Sequence, residues 1–138
     1  MALDVMRRSD ADLRRWLSDR ADGLPITLSR TTGIYDARSA HVERAWLPAI
    51  GPSALCAWRR LVELLGDGEA IVRLDRLAAD LGLSRATSPS SQIVSTLARL
   101  ARPRFGIVAV TDGAVLSVRR TVTTPPTSHR PPLAVTHG

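Results

Sequence analysis

With 138 residues and a hydrophobic fraction of 44%, the chain has room for one packed domain with appendages and not for two ordinary ones. Its single cysteine excludes an internal disulfide, the scatter of His41, His129 and His137 excludes a Cys/His metal cluster, and the lack of any run of ~18 apolar residues excludes a membrane span. The net charge of +6 rests on 19 arginines with no lysine, and it is uneven: residues 1–38 carry seven Arg against six acids, residues 39–84 five against six, and residues 85–138 seven against one.

Residues 9–22 read as a short helix. Ser9 is placed to cap it, Asp12 completes a capping-box pattern, and Leu13, Trp16 and Leu17 make one narrow apolar stripe. That stripe can dock on the rest of the chain or meet a second copy. Ile26 to Tyr35 mixes β-formers with Thr31-Thr32-Gly33 and reads as an extended connector. A helix over 39–49 turns Val42 and Trp46 inward, and Pro48 is expected to kink or end it. Pro52 then opens the strongest helical pattern, 53–65, with Leu55, Trp58, Leu61, Val62 and Leu65 on one face. Cys56 in that segment is expected to be a small buried hydrophobe.

Gly66-Asp67-Gly68 is a turn, and Ile71-Val72 suits a short strand. Residues 74–81 form a short amphipathic helix with Leu74, Leu77, Ala78 and Leu81 inward, ended by Gly82 in a left-handed conformation. After a polar linker at 85–89, Ser88 and Pro89 are placed as cap and first residue of a helix running to ~Ala101, with Pro103 as its stop. Two β-rich runs, 107–111 and 114–118, flank Asp112-Gly113, the signature of a type I′ hairpin. Residues 121–138, rich in Thr and Pro, lack core formers and read as a disordered or extended tail.

This order predicts a mostly α fold with a small β-hairpin: a winged helix-turn-helix over 39–120, preceded by an N-terminal helix and connector over 1–38 and followed by the Pro-rich tail over 121–138. Val72–Ser84, VRLDRLAADLGLS, resembles the second helix and turn of bacterial winged-helix regulators, through its Leu-Ala and Leu-Gly pairs. Trp46–Leu61, WLPAIGPSALCAWRRL, resembles the opening of the winged-helix domain in DnaD-type primosome and phage replisome-organiser proteins. The second likeness implies a replication or mobile-element setting, and nothing in the chain resembles the C-terminal DNA-binding domain of that family.

With Leu97 facing the core, Gln92, Ser95, Arg99 and Arg102 project from the outer side of the helix at 88–102. Gln can pair with adenine and Arg with guanine in a major groove, although any amphipathic helix has a polar face. Thr87, Ser90 and Ser91 sit near the helix start, where phosphate binds, and Arg85 begins the basic region. Arg104, Arg119 and Arg120 lie at the hairpin base, where they can reach a DNA backbone or simply shield a strand edge. The acidic tip, Asp112-Gly113, is a poor probe of a phosphate-lined groove.

No Gly-rich phosphate loop, Ser/His/Asp arrangement or set of inward carboxylates occurs, so neither an enzyme nor a cofactor is expected. The expected function is binding of double-stranded DNA, as a transcriptional regulator or a replication or mobile-element accessory factor, by a homodimer or a larger protein assembly. The alternative is a protein-interaction adaptor that uses the winged helix as a docking scaffold. Residues 1–8 lack the apolar run of a signal peptide, which points to the cytoplasm.

Overall fold

The first helix begins where its capping residue dictates: Ser9 accepts a hydrogen bond from the Asp12 N–H at 3.1 Å, and α1 runs Asp10–Asp19. Residues 9–123 are the ones described by the computed structural model. Among them are five helices and a small mixed sheet, together with a separate two-stranded pair. The apolar stripe of α1 docks within the chain, burying Leu13, Trp16 and Leu17, and the Trp16 Nε1–H donates to the Gly113 carbonyl at 3.0 Å.

β1, Leu24–Leu28, corrects the reading of this stretch as a connector. It lies inside the sheet, antiparallel to β3 (Glu69–Val72) on one side and parallel to β5 (Val115–Val118) on the other. The order β3-β1-β5-β4, with β4 at Val108–Thr111, makes the sheet larger than the small hairpin expected. Asp112 and Gly113 turn that hairpin with φ of 55° and 66°, the positive pair a type I′ turn requires. β2 (Tyr35–Asp36) pairs with β6 (Thr121–Val122), so the first two residues assigned to the tail are extended and hydrogen-bonded, with Val122 buried. The rest of the tail, from 124, lies outside the described residues.

α2 spans Ala40–Ile50 and keeps Pro48 inside it, so of the two outcomes expected at Pro48, a kink or an end, the helix does not end there. Proline removes one N–H from the ladder on an exposed side, while Val42, Trp46 and Ile50 anchor the other side in the core. α3 follows over Pro52–Leu65 and buries Leu55, Trp58, Leu61, Val62 and Leu65 as expected. Cys56 is exposed rather than buried: at 100° per residue it falls well off that apolar stripe.

α4 covers Leu74–Asp80, and Gly82, at φ +74°, turns the chain so that the Leu83 N–H reaches the Ala78 carbonyl at 2.8 Å. α5, Gln92–Leu100, is capped by Ser91 and not by Ser88. Residues 88–91 first close a turn (Ser91 N–H to Ser88 O, 2.9 Å), which aims the Ser91 hydroxyl at the Val94 N–H. All five helices contribute to one core, whose sheet-side members include Leu24, Ile26, Val110, Leu116 and Val118. The alternate residues of the hairpin strands, among them Ala109, Thr111, Val115 and Ser117, face away from that core. No helix among the described residues is long and apolar enough to cross a membrane.

Candidate functional site

α5 is amphipathic with a fully committed inner face, Ile93, Val94, Leu97, Ala98 and Leu100 all being buried. Its outer residues Gln92, Ser95, Thr96 and Arg99 floor an open groove of about 290 Å³, walled by Ile50–Ala54 and Leu83. α1 closes one flank. Arg14 Nη1 donates to the Ser95 hydroxyl at 2.7 Å and to the Pro89 carbonyl at 3.1 Å. At the other flank Arg99 Nη1 donates to the Ile50 carbonyl at 3.2 Å, where α2 hands over to α3.

The residues singled out from the sequence fall into separate groups. Arg99, Arg102 and Arg104 lie together along the chain at the C-terminal end of α5, all exposed, with Arg104 stacked over the Phe105 ring at 5.2 Å. Gln92 is exposed, but its Oε1 accepts the Ser84 N–H at 2.7 Å. Ser95 is taken by Arg14, and Ser91 is buried as the helix cap. Ser90 is exposed and Thr87 half-buried in the turn before α5. Arg85 stands with α4 on another surface. Arg119 and Arg120 are half-buried and bonded to backbone: Arg119 Nε donates to the Thr121 carbonyl at 3.2 Å, and Arg120 Nη2 donates to the Gly66 carbonyl. The Arg119 carbonyl in turn accepts the Trp58 Nε1–H at 2.7 Å. The two arginines at the hairpin base therefore tie strands to α3 and its following turn.

Sequence reasoning did not foresee Arg14 or Thr96 in this region. Thr96 lies four residues from Gln92 and donates to its carbonyl at 2.8 Å, so helical spacing alone could have placed it beside Gln92. Arg14 reaches Ser95 across 81 positions, and nothing local signals that meeting.

Charge is distributed as unevenly in space as in sequence. Arg14, Arg15, Arg38, Arg59, Arg60 and Arg73 each stand within 4.0 Å of a carboxylate. The Arg73 guanidinium holds Asp75 below the usual carboxylate range, and its own pKa is raised in return. Arg60 is likewise raised by its hydrogen bond to Glu63 and by Asp80. Among the described residues, none of the six arginines from Arg85 to Arg120 has a carboxylate partner. Uncompensated guanidinium groups at a surface attract polyanions. Among the described residues no group of three or more His, Cys, Asp or Glu is placed to hold a metal ion. No family model, curated protein or solved structure matches the chain.

Proposed function

We propose that the protein is a non-enzymatic, cytoplasmic winged helix-turn-helix that binds double-stranded DNA through the C-terminal half of α5. The succession α3, β3, α4, α5 and the β4–β5 hairpin supports the winged-helix reading, with β1 as an additional strand between β3 and the hairpin. The observation that carries the DNA reading is the exposed, carboxylate-free set Arg99, Arg102 and Arg104 at one end of a helix whose other face is core. Arg99, in the last turn of α5, and Arg102, two residues beyond its end, are both exposed and can meet either guanine edges or phosphates. The N-terminal half of α5 contributes less, because Arg14 already occupies Ser95.

Binding of a short random-sequence duplex to the Arg99→Ala and Arg102→Ala variants tests this. Each is expected to weaken binding, by about 1–3 kcal/mol for any arginine that reads a guanine. Unchanged affinity in both variants would remove α5 from the interface. A second reading, the protein-interaction adaptor, has one observation in its favour: Trp16 holds the hairpin tip through the Gly113 carbonyl, which leaves the wing less free to follow a DNA groove.

A further inference from the structure

The edge of the sheet at β3 has its own chemistry, away from α5. β3 pairs with β1 on one side and, among the described residues, ends the sheet on the other. The Leu28 N–H donates to the Gly68 carbonyl at 2.8 Å, which fixes the parity of this antiparallel ladder. Ala70 and Val72, in register with Ile26 and Leu24, therefore direct their backbone groups toward β1. Glu69 and Ile71 direct their N–H and C=O groups outward, to the open edge.

Beside that edge lies a groove of about 500 Å³ between β3, α3 and α4. Its apolar lining is Leu64, Val72, Leu77 and Ile71, the last an isoleucine left 71% exposed. Its charged lining is four arginines, Arg60, Arg73, Arg76 and Arg85, against a single carboxylate, Asp80. Arg60 is steadied by Glu63 and Asp80, and Arg73 by Asp75. Arg76 and Arg85 are exposed and have no carboxylate within 4.0 Å among the described residues, Arg85 acting on Asp75 only at longer range. Edge strands are ordinarily blunted by covering elements or by charge on the strand itself. Here the strand carries one exposed carboxylate, Glu69, at its start and an exposed isoleucine, Ile71, and the guanidinium groups stand beside the isoleucine end.

We infer that the open edge of β3 and its arginine-lined groove form a docking site for an extended, acidic segment of a partner protein, taken up as an added strand. The partner's backbone bonds to the free groups of Glu69 and Ile71, its carboxylates meet Arg76 and Arg85, and a small apolar side chain packs on Ile71. Charge complementarity selects the occupant: Arg60 and Arg73 are already matched by carboxylates, and a basic segment would be repelled by Arg76 and Arg85, which have none within 4.0 Å among the described residues. The site is independent of the DNA reading, since it shares no residue with Arg99, Arg102 and Arg104.

The test uses a blocked, fluorescent peptide of alternating Glu and Val, with its Lys/Val counterpart as control. The Glu peptide is expected to bind, the Lys peptide not, and binding is expected to protect the Glu69 and Ile71 amides from hydrogen exchange. The double variant Arg76→Glu, Arg85→Glu should weaken binding about tenfold or more, with an unchanged melting temperature as the check on folding. Arg99→Ala should leave peptide affinity untouched, which separates failure here from failure of the DNA reading. Absence of Glu-peptide binding, equal binding of the Lys peptide, or indifference to charge reversal would overturn the proposal. So would displacement of the peptide by duplex DNA together with loss of DNA affinity in the double variant, which would make the groove a nucleic-acid surface.

Discussion

The arginines before and after residue 84 are held in different ways. Before it, six of the ten that the structure describes lie against carboxylates, and Arg20 lies over the Trp16 ring at 4.2 Å. Arg59 is the fullest case: it bonds the Ala37 and Ser39 carbonyls and Glu43, and so clamps α3 to the start of α2. After residue 84 the only acid among the described residues is Asp112, at the hairpin tip. Arginines there brace backbone, as Arg119 and Arg120 do, or stand in solvent, as Arg102 does, and Arg99 does both, exposed with one N–H on the Ile50 carbonyl. An arginine that bonds several groups at once belongs to the fold. One with no partner costs the fold nothing to keep and leaves its field for something outside.

The largest effects should come from the packing that carries both sets. Trp16→Ala is expected to cost about 3–5 kcal/mol, and Leu97→Ala about 2–5 kcal/mol, measured by denaturant melts, since both side chains are buried in the common core. An unchanged melt for Trp16→Ala would mean that α1, with its paired arginines, is an appendage after all. At the next level the two sets separate directly. Arg59→Ala should destabilise by roughly 1–3 kcal/mol through its lost charge-assisted bonds, whereas Arg102→Ala should change stability by less than about 0.5 kcal/mol. Equal costs would erase the distinction drawn here.

The smallest effect concerns Asp75. With its carboxyl held low by Arg73, the favourable interaction is in full force above the ordinary carboxylate range. It is lost only as pH falls through the lowered value. A carbon-detected NMR titration should find Asp75 ionised to lower pH than an ordinary aspartate, and Arg73→Ala should shift it up toward the usual range, the Arg76 N–H and Arg85 still holding it somewhat low. An Asp75 midpoint that does not move on removing Arg73 would break the assignment.

Much of the helical part was legible because its signals are local. The stripe Leu55, Trp58, Leu61, Val62 and Leu65, the glycine after α4 and the Asp-Gly turn each announce their structure within a few residues. β1 was not legible, because a strand between β3 and β5 is defined by neighbours more than 40 positions away on one side and 90 on the other. Pro25 and the Thr-Thr-Gly that follows β1 imitate a connector. Ser88 was a reasonable cap by type, and Ser91 displaced it because the intervening turn decides which hydroxyl faces the helix. At the candidate site, the outward positions of Gln92 and Arg99 followed from the helical wheel, while Arg102, exposed as expected, lies two residues past the helix end. The capture of Ser95 by Arg14 and the bracing roles of Arg119 and Arg120 did not, since each is a long-range hydrogen bond.

The central claim, that the carboxylate-free arginines of α5 and its exit serve a polyanion, is tested most directly by the salt dependence of duplex binding by the intact protein. If Arg99, Arg102 and Arg104 neutralise phosphates, log K should fall linearly with log salt with a slope of about −2 to −3. Arg102→Ala should make that slope shallower by about one. A protein that binds no duplex at low salt, or whose binding is flat across the same range, would contradict it.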